Sequence, residues 1–377
     1  MARTFDALVV GAGIVGASVA YHLAERGLKV GVLEAAPAPA TGATGKSAGG
    51  IRVQFALLEN ARLSAESLEI LKNFEARFGV DAGYRPIGYL FLVPKAEWPA
   101  WRSAMVRLRE AGLPVEEVGL IEAARRVPFT AEGLGGATFG PKDGVFDPSS
   151  VAQGFLRAAR GFGVELFLEA PLERARRVGE AWRVETPRGA FEAPVVVNAA
   201  GAWAGEVARR AGLVLPVVPV RRSIYLTGPF DVPAWPMVVD QGSGVYLRPE
   251  GRRLLFGASN PEEPPGFREG VDWQWFIEVL LRARERFPWF EELGFDKKAA
   301  WWGYYAETPD KNAILGPHPG APGFYHAAGF SGHGAQQAPA VGRRLAGWIL
   351  EGEEPLLSRF GFDRFLKGEA LTETGVV

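Results

Sequence analysis

The chain of 377 residues contains no cysteine. This absence excludes disulfide bonds, catalysis by a thiolate and metal sites with cysteine ligands. Histidine is also scarce, and no two of the four histidines have the spacing of a metal-binding motif. They are His22, His318, His326 and His333. We therefore expect no metal centre in this protein.

An excess of charge of either sign is lacking as well, because 42 Lys and Arg residues face 43 Asp and Glu residues, for a net charge of −1. A nearly neutral chain gives no reason to expect nucleic acid or an anionic membrane as a partner. No stretch approaches 18 uninterrupted apolar residues, so we expect no membrane span. The first residues lack the cationic and then apolar pattern of a signal peptide. The sequence therefore predicts a soluble, cytoplasmic protein.

The most informative segment of the sequence is its first 34 residues. An apolar run, Ala7–Val10, leads into the glycine turn Gly11-Ala12-Gly13-Ile14-Val15-Gly16, then into a helical pattern and a second apolar run that ends at Glu34. The first glycine permits a tight turn, the second lets a pyrophosphate approach the backbone, and the third lets the helix pack closely on the strand. Phosphates would meet the positive end of a helix, and Glu34 would accept hydrogen bonds from ribose hydroxyls. The segment predicts a dinucleotide site, the alternative being a glycine-rich turn that binds nothing.

The rest of the chain alternates between helical and strand patterns. Residues 35–50 are small and rich in Gly and Pro, which is typical of a long functional loop. Periodicity predicts helices over residues 58–78, 96–112, 117–126, 149–161, 272–287 and 335–351. Apolar runs and alternation predict strands over residues 89–93, 164–168, 173–178, 181–186, 189–193, 195–198 and 323–328, and further antiparallel strands within 217–260. The predicted apolar face of the helix over 272–287 consists of Trp273, Phe276, Ile277, Leu280 and Leu281.

These patterns predict an α/β fold with an α+β second domain. A Rossmann-like dinucleotide-binding domain is interleaved with a domain built on a mostly antiparallel sheet. The α/β segments occur at the start, in the middle and at the end of the chain, so we expect the first domain to be discontinuous. We assign to it residues 1–80, 146–215 and 306–377. Residues 81–145 and 216–305 then form the second domain, which we expect to bind the substrate.

Five motifs occur in an order that resembles one known family. They are the Gly11/Gly13/Gly16 turn with Glu34, the segment 45–55, the segment 198–203, Glu307-Thr308-Pro309-Asp310, and Gly329-Phe330-Ser331-Gly332-His333-Gly334. Together they resemble the FAD-dependent D-amino-acid oxidase superfamily, in its sarcosine oxidase and glycine oxidase branch. The string Gly-Gly-Ile-Arg-Val-Gln-Phe is most similar to the β subunits of heterotetrameric sarcosine oxidases and dye-linked proline dehydrogenases. The resemblance covers nearly the whole chain.

The resemblance implies FAD as the cofactor and a small amino acid as the substrate, oxidised at the carbon beside its amine nitrogen. It implies that the glycine turn and the 198–203 motif hold the ADP half, and that the segment 45–55 and the 329–334 motif line the flavin. The residues that we expect to bind FAD are Gly11, Gly13, Ile14, Val15, Gly16, Glu34, Ala35, Thr44, Gly45, Lys46, Ser47, Ala48, Gly49, Gly50, Ile51, Leu172, Ala200, Gly201, Trp203, Gly303, Gly329, Phe330, Ser331, Gly332, His333, Gly334 and Gln336.

Three positions depart from the pattern of the relatives. Gly303 stands where some relatives attach the flavin through a cysteine, so we expect FAD to be bound non-covalently. Gln336 replaces the lysine that binds the substrate carboxylate in monomeric sarcosine oxidases, and Leu255 aligns with their oxygen-activating lysine. These differences argue against a monomeric sarcosine oxidase and weaken the case for O2 as the electron acceptor.

Arg52 is the best candidate to bind a substrate carboxylate, because a guanidinium offers a fork of donors that matches it. The alternative is a structural or exposed arginine. Tyr246 and Arg248 alternate along a predicted strand and would add a phenol and a second cation to the site, unless they form one face of an amphipathic strand. Trp301 and Trp302 would wall the site or pack in the core.

The turn Gly332-His333-Gly334 opens a predicted helix, whose positive end would stabilise the negative charge that a reduced flavin gains. We predict catalytic roles there for His333 and Gln336, the alternative being a glycine-rich helix cap. Lys46 belongs to a near match to the phosphate-binding P-loop, Ala40–Ser47. A P-loop requires a strand before it and a helix after it, and neither is predicted here. We therefore interpret Lys46 as a neighbour of the flavin that assists oxygen.

Three functions remain open from the sequence. The first is an FAD enzyme that oxidises sarcosine, proline or a glycine-like amino acid to an imine by hydride transfer to flavin N5. The second is a dehydrogenase β subunit that passes electrons to a partner chain or a dye. The third is a flavin-binding protein without catalytic activity.

Overall fold

The computed structural model describes residues 2–373. The helices are α1 (Ile14–Glu25), α2 (Leu58–Lys72), α3 (Phe74–Phe78), α4 (Trp98–Glu110), α5 (Leu120–Arg126), α6 (Pro148–Gly161), α7 (Ala204–Arg210), α8 (Trp273–Arg286), α9 (Gly334–Glu351), α10 (Pro355–Ser358) and α11 (Asp363–Lys367). Two short 3-10 helices cover Gly201–Trp203 and Pro288–Glu292.

The strands fall into four sheets. They are β1 (Arg3–Thr4), β2 (Ala7–Val10), β3 (Val30–Leu33), β4 (Gly50–Ile51), β5 (Tyr89–Pro94), β6 (Glu116–Val118), β7 (Leu134–Gly140), β8 (Gly144–Val145), β9 (Glu165–Phe167), β10 (Arg174–Val178), β11 (Ala181–Thr186), β12 (Gly189–Ala193), β13 (Val195–Asn198), β14 (Val218–Leu226), β15 (Met237–Asp240), β16 (Tyr246–Glu250), β17 (Arg253–Gly257), β18 (Trp301–Glu307), β19 (Ile314–Pro317) and β20 (Phe324–Ala328).

The first large sheet has the order β19-β20-β13-β2-β3-β9, and every pairing except β19 with β20 is parallel. Its central strands β2 and β3 are apolar and fully buried because both faces of the sheet are covered there. One face packs on α1, α6 and α9, and the other on the meander β10–β12. The crossing of α1 and α9 is so close that a Cβ at Gly342 would lie 2.2 Å from Ser18 Oγ. The predicted Rossmann-like unit is therefore present.

The second large sheet has the order β18-β14-β17-β16-β15-β5-β7-β6, and six of its seven pairings are antiparallel. Side chains alternate between its two faces. One face packs on α8 and the 3-10 helix that follows it. The other face carries Tyr89, Phe91, Tyr246, Leu255 and Trp301 and packs on α4 and on the segment 53–58. This second face is where the two large sheets approach each other.

Most of the predicted elements are observed within one or two residues of their predicted ends. The predicted helix over 58–78 breaks at Asn73 into α2 and α3, and its apolar side chains at Leu63, Leu68, Leu71, Phe74 and Phe78 are buried. One prediction was wrong at its start: residues 116–118 form β6, which pairs with β7, and the helix begins only at Leu120. Pairing with a sheet edge overrides helix propensity there.

The predicted apolar face of α8 was wrong in part: Phe276 is buried and Leu280 packs on the core as predicted, but Trp273, Ile277 and Leu281 are exposed. Phe276, Val279 and Ala283 are the buried residues of this helix, whereas Ile277 is 53% exposed and Leu281 is 55% exposed. At its N-terminus, the Asp272 side chain caps the helix by accepting a hydrogen bond from the Trp275 amide (2.9 Å) and is paired with Arg221 on β14 (3.2 Å). The stripe of Phe276, Val279 and Ala283 packs in the core beneath the second sheet.

No helix within residues 2–373 is long and apolar enough to cross a membrane.

His22 in α1 makes the stability of the fold depend on pH. Its side chain is buried, and burial lowers the pKa of its imidazole to about 4 although Glu25 lies 3.2 Å away. In the unfolded chain the imidazole therefore becomes protonated near pH 6.5, whereas in the folded chain it becomes protonated only near pH 4. The stabilisation is complete above pH 6.5 and is lost as the pH falls from 6.5 towards 4.

We predict that His22→Gln reduces the loss of stability between pH 7 and pH 4 by up to about 3 kcal/mol, because each pKa unit corresponds to about 1.4 kcal/mol. Urea unfolding of both proteins at the two pH values measures this difference. The comparison concerns the change with pH, so a general destabilisation by the substitution does not affect it. Equal pH slopes in the two proteins would show that His22 does not carry this sensitivity.

Candidate functional site

The glycine turn after β2 leaves bare backbone at the start of α1. Gly11 has a φ of +105°, and a Cβ there would lie 2.6 Å from the Ala199 carbonyl oxygen. A Cβ at Gly16 would lie 1.9 Å from the Gly11 oxygen, so only glycine permits this packing of helix on strand. The Ile14 amide donates to Thr44 Oγ1 (3.0 Å), which ties the following loop to the helix N-terminus. The positive end of α1 fits an anionic diphosphate.

Glu34 lies at the end of β3, beside this turn. Its carboxylate accepts hydrogen bonds from the amides of Ala12 (2.7 Å) and Ala36 (2.8 Å), and Ala35 is the residue between Glu34 and Ala36. These two donors fix the carboxylate at the edge of the turn and leave it further lone pairs. This arrangement fits the predicted role of binding ribose hydroxyls.

The other residues predicted for the ADP half follow β13, face the loop or pack in the core around the first large sheet. Ala200 and Gly201 follow β13, directly after Ala199, which touches the glycine turn. Trp203 is 46% exposed and lies beside Gly42 of the loop. Leu172 is buried in the core between the first large sheet and the meander, and its carbonyl accepts from Arg210. Val15 packs at the edge of the core around α1.

The loop before β4 turns tightly around Gly45 and Gly49. A Cβ at Gly45 would lie 2.6 Å from the Ala40 oxygen, and one at Gly49, where φ is +69°, would lie 2.4 Å from the Phe146 oxygen. The Gly49 amide donates to Ser47 Oγ (3.0 Å). At Gly50 a Cβ would lie 2.0 Å from Tyr89 Oη. The loop therefore passes close to both large sheets, and β4 continues to the fully buried Ile51.

Lys46 is directed to β18. Its ammonium lies 4.1 Å from the centre of the Trp302 ring, and its carbonyl accepts a hydrogen bond from Trp301 Nε1 (2.9 Å). Its side chain covers Gly303, where a Cβ would lie 3.1 Å from Lys46 Cβ. The position that carries a cysteine in some relatives is thus filled by the stem of a lysine.

Arg248 is buried and directed to the same loop. Its Nε and Nη2 donate to the Ala48 carbonyl (3.0 and 2.8 Å), its Nη1 donates to the Pro249 carbonyl (2.9 Å), and it is paired with Glu250. The guanidinium therefore holds the loop in place. The contact with a substrate that we expected for Arg248 stays a prediction from the sequence.

We predict that Arg248→Met weakens FAD binding about 10- to 100-fold, because two charge-assisted hydrogen bonds to the loop are lost. Titration of the FAD-free protein with FAD measures the Kd. Arg252→Met is the matched control, since Arg252 lies on the turn after the same strand and is exposed. The same Kd in the Arg248 and Arg252 variants would contradict this role.

Arg52 follows β4 and its guanidinium is enclosed by the protein. Nη1 donates to the Gln54 carbonyl, and Nη2 lies 3.5 Å from His333 Nε2. The guanidinium lies 4.0 Å from the centre of the Phe55 ring and 5.1 Å from that of Phe91. Burial lowers the pKa of Arg52 from its ordinary value, but a guanidinium keeps its charge. A permanent cation therefore lies in aromatic surroundings.

Gln336 and His333, at the start of α9, hold Arg52 from the other side. Gln336 Oε1 accepts the Arg52 amide (2.9 Å). The His333 ring lies edge-on to Phe55 at 5.0 Å. Burial, and then the charge of Arg52, lower the pKa of His333 to about 3. The imidazole is therefore neutral at pH 7, and its Nε2 faces a guanidinium donor.

The 329–334 motif packs on β18 and on the turn after it. Its backbone is unusual: φ is +70° at Gly329, +49° at Ser331 and +97° at Gly332. A Cβ at Gly332 would lie 2.6 Å from the Tyr305 ring, and one at Gly329 would lie 2.5 Å from Thr308 Cγ2. The remaining members, Phe330 and Gly334, are in contact, since a Cβ at Gly334 would lie 3.2 Å from Phe330 Cβ.

Three phenols of the second sheet belong to this region: those of the buried Tyr89 and Tyr246 and of the half-buried Tyr305. Burial raises the pKa of each, so all three stay protonated at neutral pH. The charge of Arg52 acts in the opposite direction on the pKa of Tyr89 and of Tyr305. Leu255 is fully buried on the same face. Tyr246 was predicted from the sequence, whereas Tyr89 and Tyr305 were not.

Glu373 is a further residue that the sequence did not reveal. Its carboxylate accepts hydrogen bonds from the amides of Ala56 (2.7 Å) and Leu57 (3.2 Å) and from Asn60 Nδ2 (2.9 Å). It thereby caps α2, whose own N-cap residue supplies no side-chain acceptor. Its negative charge opposes the effect of burial on the pKa of Arg52. No local pattern connects residues more than 300 positions apart.

Within residues 2–373, no group of three or more His, Asp or Glu side chains is arranged to hold a metal ion.

The known proteins that this chain resembles are oxidoreductases. A family model described as DAO, FAD dependent oxidoreductase, matches residues 6–348. FAD-dependent oxidoreductase domain-containing protein 1 of Bos taurus is 36% identical, over 98% of this chain and 86% of its own length. Mitochondrial dimethylglycine dehydrogenase of Homo sapiens is 29% identical over 93% of this chain, which spans only 43% of that protein.

Among solved structures, the L-proline dehydrogenase of P. horikoshii superposes with a TM-score of 0.90. The two sequences are 29% identical, and the match covers 98% of this chain and 100% of the other. The predicted fold class is thereby confirmed.

Proposed function

Because the chain belongs to the DAO family of FAD dependent oxidoreductases, we propose that it oxidises the C–N bond of a small amino acid whose carboxylate is bound by Arg52. The observation that carries this proposal is the enclosed guanidinium, which lies beside His333 at the start of α9 and against the rings of Phe55 and Phe91. A buried cation of this kind is suited to an anionic group that arrives without its water.

The residues present fit FAD. The bare backbone of the glycine turn would hold the pyrophosphate, Glu34 the ribose, and the loop held by Arg248 would line the flavin. FAD supplies the acceptor for the hydride equivalent that leaves the carbon beside the amine nitrogen. With glycine and the lysine stem at position 303, we propose that FAD is bound non-covalently.

The side chains around Arg52 have two tasks in this proposal. Gln336 and Phe55 hold the arginine so that its fork meets the carboxylate. Tyr89, Tyr246 and Tyr305 exclude water from the site while remaining neutral, and neutral His333 adds no second positive charge. The amide groups at the start of α9 offer a positive helix end to charge that develops during reduction.

The names of the relatives support a secondary or tertiary amino acid as the substrate, since they act on dimethylglycine and on L-proline. Both are dehydrogenases by name, and Leu255 supplies no lysine to the site. We therefore include as the second candidate a dehydrogenase that passes electrons to a partner subunit or another acceptor. A cytoplasmic location stays a prediction from the sequence.

Anaerobic mixing of the FAD-loaded protein with sarcosine, dimethylglycine, proline and glycine tests the reaction class. Bleaching of the flavin spectrum by one of them supports the proposal and identifies the substrate. Reoxidation by air, or only by an added dye, then separates an oxidase from a dehydrogenase. A flavin that none of the four reduces would contradict this substrate class and favour a flavin-binding protein without this activity.

We predict that Arg52→Ala raises KM for the amino acid about 100- to 1000-fold while FAD stays bound, because one partner of a buried charged pair is removed. Steady-state kinetics and the flavin spectrum give both quantities. Arg252→Ala, which removes an exposed guanidinium, is the control. Unchanged KM in the Arg52 variant would remove this residue from the site.

A further inference from the structure

A fully buried polar network lies directly behind Arg52, and its centre is the side chain of Gln54. Gln54 Nε2 donates to Asp143 Oδ2 (3.0 Å) and to the Tyr89 carbonyl (3.1 Å), and Gln54 Oε1 accepts from the Thr138 hydroxyl (2.7 Å). Gln54 is 0% exposed. Three partners on three sides therefore fix both the position and the orientation of this amide.

Asp143 holds the two residues that follow Arg52. Its Oδ1 accepts the Val53 amide (2.9 Å), and its Oδ2 accepts Gln54 Nε2. A Cβ at Gly140 would lie 1.9 Å from Oδ2, so the carboxylate occupies space that only a glycine leaves free. Burial raises the pKa of Asp143 to about 6, against the effects of these two donors and of the Arg52 charge. Because Asp143 is fully buried, its carboxylate is stabilised by these hydrogen bonds and not by water.

The network ends on α4. Trp101 Nε1 donates to Thr138 Oγ1 (3.1 Å), and Thr138 lies on β7 opposite Phe91, whose ring contacts the guanidinium. The second sheet is thereby joined to the segment 52–54 by side-chain hydrogen bonds. The short β4 pairs only with β8, so this network supplies support that the main chain does not.

The link to the site is the main-chain carbonyl of Gln54, which accepts from Arg52 Nη1. Asp143 holds the Val53 amide, and Asp143 and Thr138 hold the side chain of Gln54. The Gln54 carbonyl therefore keeps a fixed direction. The long arginine side chain has many rotamers, and an acceptor with a fixed direction selects one of them.

We propose that Gln54, held by Asp143 and Thr138, is a positioning residue that aims the Arg52 guanidinium and thereby sets the affinity of the site for the substrate carboxylate. This inference rests on the proposed function, because it takes Arg52 to be the carboxylate ligand. Gln54 and Thr138 are neutral, so a change in either acts through position and leaves the charge of the site unaltered.

Thr138→Val is the decisive variant, since it keeps the shape of the side chain but removes the donor to Gln54. Thr138→Ser restores a hydroxyl. Thr227→Val is the matched control, because Thr227 is a fully buried threonine at the end of β14 whose Oγ1 accepts the Leu254 amide (2.9 Å), in a hydrogen bond outside this network. The probe is acetate, a carboxylate without an amine, whose binding is followed by the change in the absorbance of bound flavin.

We expect Thr138→Val to raise the Kd of acetate and the KM of the amino acid about tenfold or more, with kcat changed less than threefold, since the buried hydrogen bonds of the hydroxyl to Gln54 and from Trp101 are both lost. Thr138→Ser is expected to restore both values, and Thr227→Val to leave them unchanged even if its Tm falls equally.

Two results would overturn the inference alone: an unchanged Kd in Thr138→Val, or an equal rise in Thr227→Val, while Arg52→Ala still weakens acetate binding. Unchanged acetate binding in Arg52→Ala would overturn the proposed role of Arg52 itself, and the inference with it. The acetate titration thus separates failure of the positioning network from failure of the proposed function.

Discussion

The buried charge of Arg52 is the constraint on which the rest of the site depends. A guanidinium removed from water is costly unless its donors and its charge are compensated. The compensation comes from every side: two aromatic rings, the Gln54 carbonyl, neutral His333 and the carboxylates of Asp143 and Glu373. Together they stabilise the buried positive charge that, under the proposed function, binds the substrate carboxylate.

The groups that surround Arg52 come from distant parts of the chain, and the fold brings them together. Gln336 begins a helix of the parallel-sheet region, whereas Thr138 and Phe91 belong to the antiparallel sheet. The segment 49–55 lies between the two regions and is bonded to both. The loop before it is held in turn by Arg248. The loop proposed to line the flavin and the residues proposed to bind the carboxylate are therefore joined by hydrogen bonds.

Local patterns in the sequence predicted the elements and the cofactor turn, because glycine spacing and apolar periodicity act within a few residues. They failed where distant contacts decide. The exposed stripe of α8 has the same periodicity as its buried stripe, so the pattern alone does not select between them, and packing against the second sheet does. Arg52 was predicted from its motif. The roles of Asp143, Gln54 and Glu373 were not predicted, because each depends on contacts with residues that are distant in the sequence. For Arg248, the sequence indicated a positive charge near the site, but it did not show that the guanidinium donates its hydrogen bonds to the Ala48 carbonyl.

The most direct test compares an amino acid with the same amine lacking its carboxylate: sarcosine with dimethylamine, or proline with pyrrolidine, whichever pair reduces the flavin. Anaerobic rapid mixing gives the second-order rate constant of flavin reduction for each compound, in the natural protein and in Arg52→Ala. The account predicts that Arg52→Ala lowers this rate constant about 100-fold or more for the amino acid and changes it little for the simple amine, because only the amino acid has a carboxylate that Arg52 binds. Equal losses for both compounds, or none for either, would contradict it.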